Sequence, residues 1–211
     1  MTERQNDGVR RVAAFDLDGT LTRQDCVTPF LRLVAGHRLW LALARNAPSA
    51  IVALATGDRD RLKEIAVTAL RGTPQAELDS LGGAFAESIV GNRLRADTPA
   101  RLAWHRARGD VTVIVSASFE AYVKPLGVLL GVDDVLCTRL ESNANGVLTG
   151  RLEGVNCRGP EKTRRLSEWL DARGLDAAEL WAYGDSKGDD ELLALAAHPV
   201  WVRGITLSPT G

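Results

Sequence analysis

Three short apolar runs in this 211-residue chain each end in a residue able to do chemistry. Val12 to Phe15 leads into Asp16, Val111 to Val115 into Ser116, and Leu180 to Tyr183 into Gly184-Asp185. Unbroken apolar runs of this length are the mark of strands buried on both faces, and such strands belong to parallel sheets covered by helices. In open sheets of that kind, ligands bind in the crevice at the carboxyl ends of the strands. A single Asp after a strand is usually a turn or a helix cap. Three such strand ends in one chain predict a fold class and a site together.

From about Val27 to Val90 the periodicity is helical throughout, with breaks at Gly36, Pro48, Gly57 and Gly72-Thr73-Pro74, which predicts three or four helices. A further helix is expected over Thr98 to Arg108, with Thr98 as N-cap and Pro99 at the first helical position. Beyond the strand that ends at Ser116, the pattern predicts a helix from about Phe119 to Leu130 and a strand from about Asp134 to Thr138. Asn145 to Leu152 has the turn residues and alternation of a hairpin. Helices over Glu161–Ala172 and Asp190–Ala197 and an edge strand over Val200–Val202 complete the reading. The fold class is α/β: a doubly wound, Rossmann-like parallel sheet with an inserted helical domain and a small hairpin. The expected division is a core of residues 1–26 and 91–211 and an insertion of residues 27–90.

A formal net charge of −1 gives no electrostatic basis for nucleic-acid binding. Cys26, Cys137 and Cys157 are odd in number, far apart and without a CxxC pair, so neither a zinc site nor a disulfide framework is expected, which suits a reducing cytoplasm. Met1 to Arg11 is polar and charged, unlike a secretory signal. The longest apolar stretch, Leu39 to Ala55, is interrupted by Arg45, Asn46 and Pro48. It reads as two buried or interfacial helical pieces, with peripheral membrane contact as the alternative. No signal for an oligomeric state is present, and no GxxxxGK[ST] phosphate loop occurs.

The chemistry concentrates in Asp16-Leu17-Asp18-Gly19-Thr20. Two carboxylates two residues apart in near-extended chain project to the same side, so one can serve as nucleophile while the other gives or takes a proton. Gly19 permits a tight turn that brings amide donors towards an anion; an Asx turn is the alternative use of the segment. Asp185 lies in a second acidic run, Gly184 to Asp190. Mg²⁺ takes one or two carboxylates together with phosphate and water, and Asp16 and Asp185 supply that donor type. Ser116, with the amides of Ala117 and Ser118, and the cation of Lys162 are candidates for holding phosphoryl oxygens. Each also has a plainer use, Ser116 as a cap, Lys162 on a solvated helix face, and Asp189 and Asp190 at a helix N-terminus.

Taken in order, DLDGT at Asp16–Thr20, Ser116 after VTVIV, Lys162 and GDSKGDD from Gly184 resemble the haloacid dehalogenase superfamily of phosphatases, subfamily IB. The resemblance covers nearly the whole chain and implies a helical cap where the helical block stands. It implies that Asp16 attacks phosphorus to form an aspartyl-phosphate and that Asp18 protonates the leaving alcohol and then activates water. It further implies Mg²⁺ on Asp16, Asp185 and the Asp18 carbonyl, Ser116 and Lys162 on the phosphoryl oxygens, and Asp189 supporting Lys162 or the metal shell. An acid at Asp18 favours phosphatase over dehalogenase chemistry. Asp25 stands where phosphoserine phosphatases have a Glu that reads the substrate amino group, Gly188 where they have Asn, and Ala66 where they have a carboxylate-binding Arg. Gln24-Asp25, Phe30-Leu31-Arg32 and Cys157 to Lys162 are similar to the phosphatidylglycerophosphate phosphatase type. The expected substrate is thus a small phosphomonoester or a lipid headgroup phosphate, with phosphoserine as an alternative. A catalytically silent binding module is the rival from another class; it should have lost a motif residue, and none is lost.

Overall fold

The computed structural model describes residues 11–210, so the charged opening of the chain, apart from Arg11, lies outside the described residues. Strands β1 (Val12–Phe15), β2 (Val111–Phe119), β3 (Asp134–Ser142), β4 (Leu148–Glu153), β5 (Leu180–Gly184) and β6 (His198–Trp201) form one sheet in the order β4-β3-β2-β1-β5-β6. Every pairing is parallel except β3 with β4. β1 is central and wholly buried, which is why it reads as an unbroken apolar run. The chain moves outward to one side of β1 through β2 and β3, then crosses to the other side for β5 and β6. That reversal leaves a crevice at the carboxyl ends of β1, β2 and β5. Phe15 lies level with both Ile114 and Tyr183, so Asp16, Ser116 and Asp185 lie within one residue step of each other along the strands.

Alternation along the strands divides the core. Val12, Ala14, Val113, Val115 and Ala182 pack against helices α8 (Pro160–Arg173) and α9 (Asp190–Leu195). Ala13, Phe15, Ile114 and Tyr183 face the opposite layer, with Phe15 stacked on Tyr183 at 4.3 Å. That layer holds helix α6 (Thr98–Ala107), helix α7 (Glu120–Leu130) and part of the inserted block.

The block contains five α-helices: α1 (Val27–Ala35), α2 (His37–Arg45), α3 (Ala47–Thr56), α4 (Arg59–Val67) and α5 (Gln75–Asn92). Three or four were expected, but a helix ends at or shortly before each of the four breaks, and four breaks make five pieces. Phe30 of α1, Phe85 of α5 and Tyr122 of α7 meet with centroids 4.7–5.3 Å apart and hold the block on the core. Gly82 permits the approach of α5 to α7, since a Cβ there would overlap the Ala121 carbonyl.

Three local expectations change. β2 runs beyond Ser116 to Phe119, with an irregular step between them, because the fully buried Phe119 keeps the chain in the sheet layer. The hairpin is β3 with β4, so Asn145 to Leu152 supplies its turn and second arm only. Thr98 does not cap α6; its hydroxyl donates to the Thr20 carbonyl at 3.1 Å.

Candidate active site

The segment after β1 is held in place from several sides. The Asp16 amide donates to Tyr183 O at 2.9 Å, the Thr22 amide and hydroxyl both donate to Leu17 O, and Thr98 holds Thr20 O. Gly19 has φ +87°, and a Cβ on it would overlap the Asp185 carboxylate. Glycine is needed twice here, for the left-handed turn and for the close approach of that carboxylate.

Asp16, Lys162 and Asp189 form a buried chain of charge. Lys162 Nζ, from the first turn of α8, donates to Asp16 Oδ1 and to Asp189 Oδ1, each at 2.5 Å. The other Asp189 oxygen accepts from the amides of Asp185 and Ser186 and from the Ser186 hydroxyl. Both Asp189 oxygens are therefore committed to protein donors, and its carboxylate positions Lys162 and the loop after β5. Burial pushes Asp16 up to about 7 against the pull of Lys162, with Asp189 and Asp18 adding to the rise. Burial works against the Lys162 ammonium, yet Asp16 and Asp189 outweigh it and raise Lys162 above the ordinary lysine value.

Carboxylate oxygens of Asp16, Asp185 and Asp189 lie within 4.8 Å of one another with one lysine among them. Asp185 is also raised, by burial and by Asp189. A crowded set of hard oxygen donors carrying more negative than positive charge fits a divalent cation such as Mg²⁺. The glycine-lined approach between Gly19 and Asp185 fits it as well.

Asp18 meets different surroundings. It accepts from the Cys26 amide at 2.7 Å and from the Ser118 hydroxyl at 2.5 Å. Burial raises it to about 6 although both hydrogen bonds act the other way.

These groups open on a cavity of about 620 Å³ lined by Asp16, Asp18, Gly19, Ser116, Lys162 and Asp185. Ala117, Asp189 and Asp25 line it too, while Thr20 and Ser118 lie behind its wall. The Ser118 amide, expected to face a phosphoryl oxygen, instead donates to Ser116 Oγ at 3.0 Å. The Asp25 carboxylate accepts from the amides of Val27 and Thr28 and so caps α1.

Lys63 and Asn156 belong to the same cavity and escaped the sequence reading. Lys63 Nζ, from α4, donates to the Ala117 carbonyl and to Asn156 Oδ1, the latter at 2.8 Å, and Asn156 Nδ2 donates to Asp60 at 2.5 Å. Burial lowers Lys63 to about 8, with Asp18 and Asp60 resisting. A lysine on an amphipathic helix carries no mark of this role in sequence; a tally of cations on the inserted helices would only have raised it as one of several.

The haloacid dehalogenase-like hydrolase family pattern matches residues 13–194. Among similar chains is Protein CicA of Caulobacter vibrioides, 39% identical over 186 residues, spanning 88% of this chain and 82% of that one. A histidinol-phosphatase of Neisseria meningitidis is 34% identical over 102 residues, 47% of this chain and 46% of its own. The fold matches a phosphoserine phosphatase solved as a phospho-aspartyl intermediate analogue, with TM-score 0.62 and 20% identity, covering 90% of this chain and 84% of that one. With six strands in parallel-dominated order and acids at the carboxyl ends of β1 and β5, the chain belongs to the haloacid dehalogenase-like hydrolases and is a phosphatase.

Proposed function

We propose that this phosphatase hydrolyses a phosphomonoester through a covalent aspartyl-phosphate on Asp16. The observation that carries the reading is the pair Asp16 and Asp18, two residues apart and set in different surroundings. One lies against a lysine and a carboxylate cluster, the other between two neutral donors. In the first step an Asp16 oxygen bonds to phosphorus as the ester oxygen leaves, and protonated Asp18 gives that oxygen its proton. In the second, water attacks the aspartyl-phosphate, Asp18 takes back a proton, and Asp16 is released as carboxylate with inorganic phosphate. Lys162 balances charge on the phosphoryl oxygens, and the Ser116 hydroxyl, at the cavity wall, orients one of them. Asp16, Asp185 and the Asp18 main-chain carbonyl would hold Mg²⁺, whose chemistry here is to neutralise phosphoryl charge.

Residues 27–90 serve as a cap in this reading, because α1, α2 and α4 contribute Leu31, Leu39, Leu43, Leu62 and Ala66 to the cavity. An apolar wall opposite a charged one suits a small phosphomonoester with an apolar part or a lipid headgroup phosphate. Phosphoserine is the alternative; Ala66 offers no charge to its carboxylate, so that group would have to meet Lys63 or Arg59 of α4 instead. The test is phosphate release with Mg²⁺ and with EDTA, together with acid-quench trapping of labelled phosphate on the protein. Asp16→Asn should lower turnover by at least about 10³-fold and abolish the trapped label. Wild-type turnover in that variant would overturn the nucleophile assignment.

A further inference from the structure

Residues 26 to 57 contain three arginines and one histidine but no aspartate or glutamate. This segment forms α1, α2 and α3. Six of the twelve large apolar side chains that stand exposed among the described residues fall within it, from Leu33 to Leu54. Such concentration marks an interaction surface rather than the scatter normal to a water-facing one.

Helix α3 shows the point most sharply. It buries Ala50 and Ala53 and turns Ile51, Val52 and Leu54 outward, at 65%, 62% and 67% exposure. A helix adapted to water on that side would have the opposite arrangement. Helix α2 meets it at an 88° bend and adds Trp40 at 58% exposure and Leu41 at 47%. No single helix among the described residues is long and apolar enough to cross a membrane. The two together make a corner with large apolar groups on its outer side; Arg45 stands exposed on it, and Arg32 of α1 stands exposed beside it with its guanidinium 5.6 Å from the centre of the Trp40 ring. On the inner side of α2, Leu39 and Leu43 line the catalytic cavity, so this corner adjoins its wall.

We propose that the α2–α3 corner docks the protein on an anionic lipid surface, seating its apolar side chains at the headgroup boundary with the arginines among the lipid charges. Trp40 has the amphipathic ring that favours such a boundary. Charge selects this occupant over a second copy of the chain. A symmetric dimer through the same face would set like-charged arginine-bearing segments against each other without an acid in either, whereas an anionic bilayer neutralises them.

Co-sedimentation with vesicles tests this without turnover, so its result stands apart from that of the phosphatase reading. The protein should pellet with vesicles of phosphatidylcholine mixed with phosphatidylglycerol, much less with phosphatidylcholine alone, and less again as salt is raised. Ile51→Glu with Leu54→Glu should lower the bound fraction about tenfold or more while the circular dichroism melt stays unchanged, both sites being exposed. Should that double variant not fold, Trp40→Gln in the same assay should lower binding severalfold. Failure of the wild type to pellet with the anionic vesicles would overturn the proposal, as would undiminished binding by the folded variant. A dimer in gel filtration that the double substitution dissociates would assign the face to a second copy instead.

Discussion

Asp16 and Asp18 occupy one short turn, yet their neighbours separate their tasks. The Lys162 ammonium at 2.5 Å draws Asp16 towards its charged form against a burial that raises it to about 7, while Asp18 has only neutral donors and is raised to about 6 by burial. A leaving alkoxide needs the protonated form of Asp18, and that form falls away as pH rises through about 6. For alkyl phosphates kcat/KM should therefore decline above about pH 6, towards a tenfold loss per pH unit. For p-nitrophenyl phosphate, whose leaving group departs without a proton, that limb should be absent. Parallel pH–rate profiles for the two esters check this, and identical profiles would remove Asp18 from the acid role. Asp16, Asp18 and Asp185 were legible in the sequence because each follows an apolar run that can only be a buried strand. Lys63 was not, because nothing local separates a lysine that reaches the Ala117 carbonyl from one that reaches water.

Helix contacts decide how the inserted block sits. Gly82 brings α5 against Ala121 of α7, and the Phe30–Phe85–Tyr122 cluster fills the space beside that crossing. Gly82→Val should destabilise by about 1–3 kcal/mol, since the added carbons meet backbone that cannot move aside cheaply. Urea unfolding measures it, and unchanged stability would mean that α5 and α7 separate at little cost. At this scale the periodicity located the helices and their breaks, but not the partner of each face. The same alternation that marks an apolar side serves equally for a face on the sheet, on another helix or on a lipid surface. Ile51 and Leu54 belong to a stretch that reads in sequence as buried or interfacial, and the fold turns them outward.

For the whole molecule, folding gathers three carboxylates around one lysine at the strand ends. Because burial raises Asp185, the folded state holds that proton more tightly than the unfolded chain does. The ionised carboxylate consequently costs stability as pH rises above the unfolded value of about 4. Without divalent cation at neutral pH, Asp185→Asn should therefore melt higher than wild type. Mg²⁺ should raise the wild-type melting temperature and leave that of the variant nearly unmoved. Thermal melts with Mg²⁺ and with EDTA check both, and an equal Mg²⁺ shift in the two proteins would place the cation elsewhere. By itself the sequence determined the sheet class, the buried strands along the chain and the acids at their ends, because burial on both faces demands unbroken apolar runs and chemistry collects where such runs stop. Only the tertiary structure decided that Asp189 serves Lys162, that Ser118 serves Asp18, that Lys63 enters the cavity from α4 and that the α2–α3 corner stays uncovered. Those outcomes depend on contacts between residues as much as 100 positions apart, and local periodicity carries no record of which distant groups will meet.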